Sequence, residues 1–232
     1  MYVNVEYYLF AVPGILLSSW AQARISRAYA AGSRIPASSG LTGAQAAELV
    51  MRAGGVSGVG IEPVAGELSD HYDPRQKVLR LSYGVFSGRS LAALGVAAHE
   101  SGHAVQDASG YPGLFVRNLV VPLASIGSTF FWLPILAGLL LDISRLIMVG
   151  IVLFSLTIAL QLINLPVEFD ASRRGRGLLL SSGLIREDED RTVKHVLNAA
   201  AWTYVAATLT GLLTLLYYLV QFGVLGRRRR EE

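Results

Sequence analysis

The sequence predicts a mostly α-helical, polytopic membrane protein with about four transmembrane helices and a small α+β soluble insertion that carries a His-Glu-x-x-His helix. Three observations predict it. Of 232 residues, 52% are hydrophobic and only 16% charged, and the mean hydropathy is +0.45, on the apolar side of ordinary soluble domains. The apolar residues gather into runs long enough to approach or cross a bilayer, with arginines at their ends. Between the runs lie polar stretches with helix caps and strand-like alternation. The absence of cysteine excludes disulfides and thiolate-held metal. The formal net charge of +3 arises largely from Arg clusters beside apolar runs, which is a topology pattern and does not imply nucleic acid.

The chain divides at 1–23, 24–113, 114–165, 166–198 and 199–232. In the first segment, Tyr7 to Ala23 is a short apolar anchor preceded by Glu6 and followed by Arg24, Arg27 and Arg34. It lacks the basic start of a secretory signal peptide, and its charge order predicts an outside amino end with the following chain in the cytoplasm. Residues 24–113 are soluble in character. Thr42-Gly43-Ala44-Gln45 fits a capping box that opens a helix through about Arg52, with Ala46, Leu49 and Val50 inward and Gly54-Gly55 as the stop. Val59 to Val64 and Lys77 to Leu81 read as two strands of a hairpin, joined by a loop from Gly66 to Pro74 that is dense in turn residues. The alternation in Lys77 to Ser82 predicts an exposed strand edge on which an extended peptide can pair along Val78, Leu79 and Arg80, with His71 of the loop as a further substrate contact.

The next helix carries the chemistry. Ser90 is its cap, Arg89 to Gly95 lead in with helix formers, and Gly110 with Pro112 ends it. His99 and His103 stand four apart on one face, so both rings can reach a single Zn²⁺ ion. Glu100, one step round, lies where it can take a proton from water activated by the metal. Small neighbours at Ala97, Ala98, Gly102 and Ala104 let such a helix pack closely.

Residues 114–165 read as a transmembrane hairpin, Asn118 to Leu141 and Ile143 to Leu165, with Asp142 and Arg145 at the junction. A hairpin returns the chain to the side of His99. Residues 166–198 then form a second soluble segment. A hydrolytic zinc site takes three protein ligands, and Glu168 and Asp170 are the acidic residues here in an apolar-to-helical setting. Pro166 suits the first turn of a new helix, which puts Glu168 at the membrane surface as the third ligand. Ala199 to Leu225 is the last apolar run, followed by Arg227 to Arg230, a basic tail on the side opposite to a cytoplasmic site if all four spans are complete.

Several of these segments together resemble the YugP-type neutral zinc metallopeptidases of bacterial membranes: Arg34 to Gly43, Asp70-His71-Tyr72-Asp73-Pro74-Arg75, the His99 to His103 helix, Leu165 to Arg174, and Asn198 to Ala206. More distantly, the layout is similar to the HtpX and CAAX prenyl protease type, in which the Glu of a Glu-x-x-Ala-Asp motif after a transmembrane hairpin is the third ligand. Glu168 and Ala171 match that motif, whereas Ser172 stands where Asp is expected, so the resemblance implies that Ser172 or Asp170 orients a ligand histidine. It further implies a zincin-like, gluzincin-type endopeptidase with one zinc per chain, Glu100 as general base, and His195 and Tyr204 as candidates for stabilising the oxyanion. The substrates implied are membrane-proximal or misfolded proteins and peptides, cut on the cytoplasmic side of a bacterial inner (plasma) membrane. Two alternatives stand beside it: a site-2-type intramembrane protease using Asp142 as a ligand, and a non-proteolytic zinc-binding scaffold or adaptor.

Overall fold

A computed structural model of the chain describes residues 5–223. Its elements are α1 (Val5–Ser33), α2 (Gly43–Ala53), β1 (Gly60–Val64), β2 (His71–Asp73), β3 (Val78–Ser82), α3 (Tyr83–Phe86), α4 (Leu91–Ala108), α5 (Pro112–Phe130), α6 (Trp132–Leu140), α7 (Ser144–Ser181) and α8 (Glu187–Gln221). Arg227 to Arg230 lie outside the described residues. The chain forms two compact units, one from the described residues up to Ala21, Val116–Leu165 and the residues from Thr203 onward, the other from Gln22–Phe115 and Pro166–Trp202.

The first unit is helical. Among the described residues three helices are long and apolar enough to cross a membrane: Pro112–Leu140, Ser144–Ser181 and Glu187–Gln221. Only 17% of the apolar stretch of each is buried, so their apolar side chains face outward, as lipid contact requires. The expected first span is helical in α1 but is interrupted by Pro13, Gly14, Ser18 and Ser19 and falls short of the other three in apolarity. The first arm of the expected hairpin is divided at Phe131 into α5 and α6, and the turn to α7 places Asp142 at φ 55, a left-handed conformation that aspartate tolerates. Small residues bring backbones together: a Cβ on Gly127 would collide with the Leu153 carbonyl, and Ser18 Oγ and Thr210 Oγ1 share a 3.1 Å hydrogen bond.

The second unit holds the sheet and α4. Thr42 and Gln45 cap α2 reciprocally, as their spacing predicts, and Ala46 and Val50 are fully buried beneath it. The sheet corrects the expected hairpin. Its order is β1-β3-β2, with β1 parallel to β3 and β2 antiparallel to it. The turn-rich stretch from Gly66 to Pro74 contains a strand of its own, His71–Asp73, held down by the Tyr72 hydroxyl donating to Asp107 of α4 at 2.6 Å. With that strand on one side and β1 on the other, β3 becomes the central strand. Leu79 and Leu81 are completely buried in it, so the free edge expected along Val78, Leu79 and Arg80 does not exist. Arg80 is instead paired with Asp73 at 3.3 Å and Glu62 at 3.5 Å. Pro63, which has no N–H to donate, lies on the edge strand β1 where that costs least.

Ser90 caps α4 through its side chain, which accepts from the Ala93 N–H, and Gly110 at φ +63 ends the turn that follows. A second correction concerns Pro166. It lies inside α7, a continuous helix of 38 residues, and starts no new one. A helix-internal proline removes one hydrogen bond to the carbonyl four residues back, and packing on both sides of it, with Val167 and Ala171 fully buried, carries the helix through. Glu168 therefore sits on the same helix as the apolar residues before it.

Candidate metal centre

The centre is made where α4 and α7 touch. A Cβ on Gly102 would collide with the Ala171 backbone, and one on Gly175 would collide with the carbonyl of Ala98. Each helix thus presents one glycine and one alanine four residues apart, and the reciprocal fit brings the two backbones into contact. The flanking side chains, His99 and His103 from α4 and Glu168 and Ser172 from α7, are left facing one gap. Gly102→Ala and Gly175→Ala are each expected to cost about 1–3 kcal/mol by overpacking. Both should also lower metal content, which thermal unfolding and metal analysis of the purified variants would check.

Glu168 Oε2 lies 3.3 Å from His99 Nε2 and 3.6 Å from His103 Nε2, and one ligand atom from each residue falls within 4.8 Å of the others. Two atoms bound to one tetrahedral zinc at 2.0–2.2 Å stand about 3.3 Å apart, so the spacing fits the ion with little adjustment. Glu168 is 4% exposed and His103 6%, and the two imidazole rings stand at 79°.

The protons argue for a cation independently. Gln106 is fully buried, and its Nε2 donates to the Val167 carbonyl at 2.8 Å and to Asp170 Oδ2 at 3.0 Å. Both partners only accept, so the amide orientation is fixed, and Gln106 Oε1 must receive the proton of His103 Nδ1, 3.0 Å away. The ring's other nitrogen, His103 Nε2, then points at a carboxylate oxygen. That oxygen, Glu168 Oε2, is buried without a hydrogen-bond donor. A metal ion between the two imidazoles and this carboxylate would satisfy all three at once. His99 is held from behind in the same way, its Nδ1 2.9 Å from Ser172 Oγ. Glu100, next to His99 on α4, is 8% exposed.

A family described as "Putative neutral zinc metallopeptidase" matches residues 7–223. The chain belongs to that family. It is also 43% identical over 216 residues to a protein of Bacillus subtilis (strain 168) named "Putative membrane protease YugP", a match covering 93% of this chain and 96% of that one. No solved structure matches the chain.

In this member of the zinc metallopeptidase family the remaining sequence candidates lie as follows. Asp170 is not in the three-residue cluster; its carboxylate takes Gln106, Arg173 and Arg174, and so supports His103 at one remove. Asp142 is exposed in the turn before α7, belongs to the unit without the cluster and is not among the cluster's three residues. His71 is exposed at the start of β2, with Nδ1 2.8 Å from the Ser69 carbonyl. His195 is exposed on α8 outside the cluster, and Tyr204, 37% exposed, belongs to the other unit. Gln106 is the residue that sequence reasoning passes over. Its signal was its position, three residues after His103 on the same helical face, where an amide can meet that ring from behind. Gln106→Leu keeps the bulk but removes the acceptor, and zinc affinity is expected to fall about 10–100-fold, read by competition with a chromophoric chelator.

Proposed function

We propose that the protein is a membrane-anchored, gluzincin-like zinc endopeptidase that hydrolyses peptide bonds of membrane-proximal or misfolded proteins. His99, His103 and Glu168 hold one zinc per chain. The observation that carries this reading is the buried carboxylate oxygen of Glu168, 3.3 Å from His99 Nε2 and 3.6 Å from His103 Nε2. Bound zinc supplies a Lewis acid that polarises a peptide carbonyl and makes water nucleophilic near neutral pH. The chain's own residues do the rest. Gln106 and Ser172 fix the two imidazoles in the ligating orientation. The Glu100 carboxylate accepts the proton of the attacking water, then gives it to the leaving amine nitrogen.

Membrane-proximal substrates follow from Glu168 standing three residues after Leu165 on α7, a helix apolar enough to span a bilayer. The reading places the metal-bearing unit on the cytoplasmic side of a bacterial plasma membrane, supported by Arg24, Arg27 and Arg34 together with Arg173, Arg174 and Arg176. His71 is the substrate contact retained in this reading.

The test is zinc content per chain and casein cleavage in the same detergent, before and after chelation. One zinc per chain is expected, with cleavage lost on stripping and restored by one equivalent. Cleavage that survives removal of the metal overturns the mechanism. Stoichiometric zinc with no cleavage of casein or of membrane-anchored substrates makes the protein a scaffold.

A further inference from the structure

A cavity of about 700 Å³ opens in the metal-bearing unit, between one face of α1, the β1–β2 loop and the start of α3. Tyr29, Leu68 and Tyr83 form its apolar walls, and the small side chains of Ser26, Ala30 and Ser33 on α1 leave the space open. None of these residues belongs to the metal cluster. Its volume is that of a site for an organic ligand, well above a packing defect.

Two features give the cavity a chemistry. The first is its lip. Leu68 is 63% exposed at φ 56 and Tyr83 is 63% exposed, so two large apolar side chains stand in solvent at the opening, one on left-handed backbone that leucine rarely adopts. The second is charge. Glu67 is the charged residue among those lining the cavity, and no Lys or Arg is among them. Behind it Asp70 is fixed by Ser82, whose N–H and hydroxyl donate to its carboxylate at 2.8 and 3.1 Å. Burial, and then the Asp70 and Glu67 carboxylates, push the Tyr29 phenol above its ordinary range, which places both negative charges within reach of the ring.

An occupant that suits apolar walls, two tyrosine faces and a negative field presents a hydrocarbon surface beside a positive charge. We propose that the cavity is an accessory docking site for an extended polypeptide segment in which an apolar side chain neighbours a lysine or arginine. That the ligand is polypeptide rests on the peptidase reading; the cavity's preference for apolar and cationic character does not. Segments of this composition flank the apolar spans of membrane proteins on their cytoplasmic side.

The experiment is fluorescence anisotropy of two labelled pentapeptides, Ala-Leu-Lys-Leu-Ala and Ala-Leu-Glu-Leu-Ala, titrated with the full chain in nanodiscs after removal of metal, so that binding is read apart from catalysis. The lysine peptide is expected to bind at least about tenfold more tightly than the glutamate peptide. Glu67→Lys, on an exposed loop, should reverse that order, and Ala30→Trp should fill the space and abolish binding of both, each variant keeping the zinc content of the parent. Equal affinities, an order unchanged by Glu67→Lys, or no binding of the lysine peptide overturns the proposal. Loss of zinc or of cleavage in the parent chain overturns the peptidase reading and leaves the docking preference standing or falling on the anisotropy alone.

Discussion

Glu168→Ala is expected to strip the protein of zinc and of proteolysis together. In the parent chain Oε2 is the acceptor towards which both histidines turn, at 3.3 and 3.6 Å, and no protein donor offsets its burial. Alanine leaves two histidines, a pair that holds zinc far more weakly than a three-ligand site. The fall in affinity should exceed the roughly 100-fold upper range for removing a supporting residue such as Gln106. Metal analysis of the two proteins in one detergent gives the answer. A variant that keeps one zinc per chain places the third ligand elsewhere, with Asp170 the next residue to test. The variant is expected to fold, because it relieves a buried carboxylate and leaves the Gly102 and Gly175 contacts intact.

Glu100→Gln separates binding from chemistry. The amide has the shape of the carboxylate and cannot accept the proton of the attacking water, so zinc content should stay at the parent level. General acid–base contributions are typically 10²–10⁴-fold, so kcat/KM should fall by about that factor, a loss of about 3–5 kcal/mol of transition-state stabilisation. Single-turnover cleavage of a membrane-anchored reporter, with metal measured on the same sample, checks both halves. Zinc retained together with unchanged turnover sinks the assignment of Glu100 as the base.

Much of this centre is legible in the sequence because helices impose their period on it. His99 and His103 declare a shared face by their spacing, and Ser90, Thr42 and Gln45 mark helix starts where the structure has them. Glu168 and Ser172 show the same four-residue step, which the touching of α4 and α7 through Gly102 and Gly175 turns into a common gap. The sheet is less legible. A three-residue strand hidden among turn residues carries too little pattern to be seen, and missing it turns a central strand into an edge. Pro166 misleads for another reason: proline reports a local cost, and a helix packed on both sides of it absorbs that cost. Gln106 escapes because a buried amide has no signature until its partners, the Val167 carbonyl and Asp170, are placed.

The pairing of His99 with Ser172 spans 73 residues of chain, and α5, α6 and the apolar part of α7 lie between them. Translation runs in one direction, so the ribosome delivers both histidines and Glu100 well before Glu168. Until α5, α6 and the first part of α7 have been made, the nascent chain holds two of the three residues of its cluster. The order of synthesis thus makes completion of the cluster depend on the apolar helices that the chain must build between its histidines and its carboxylate.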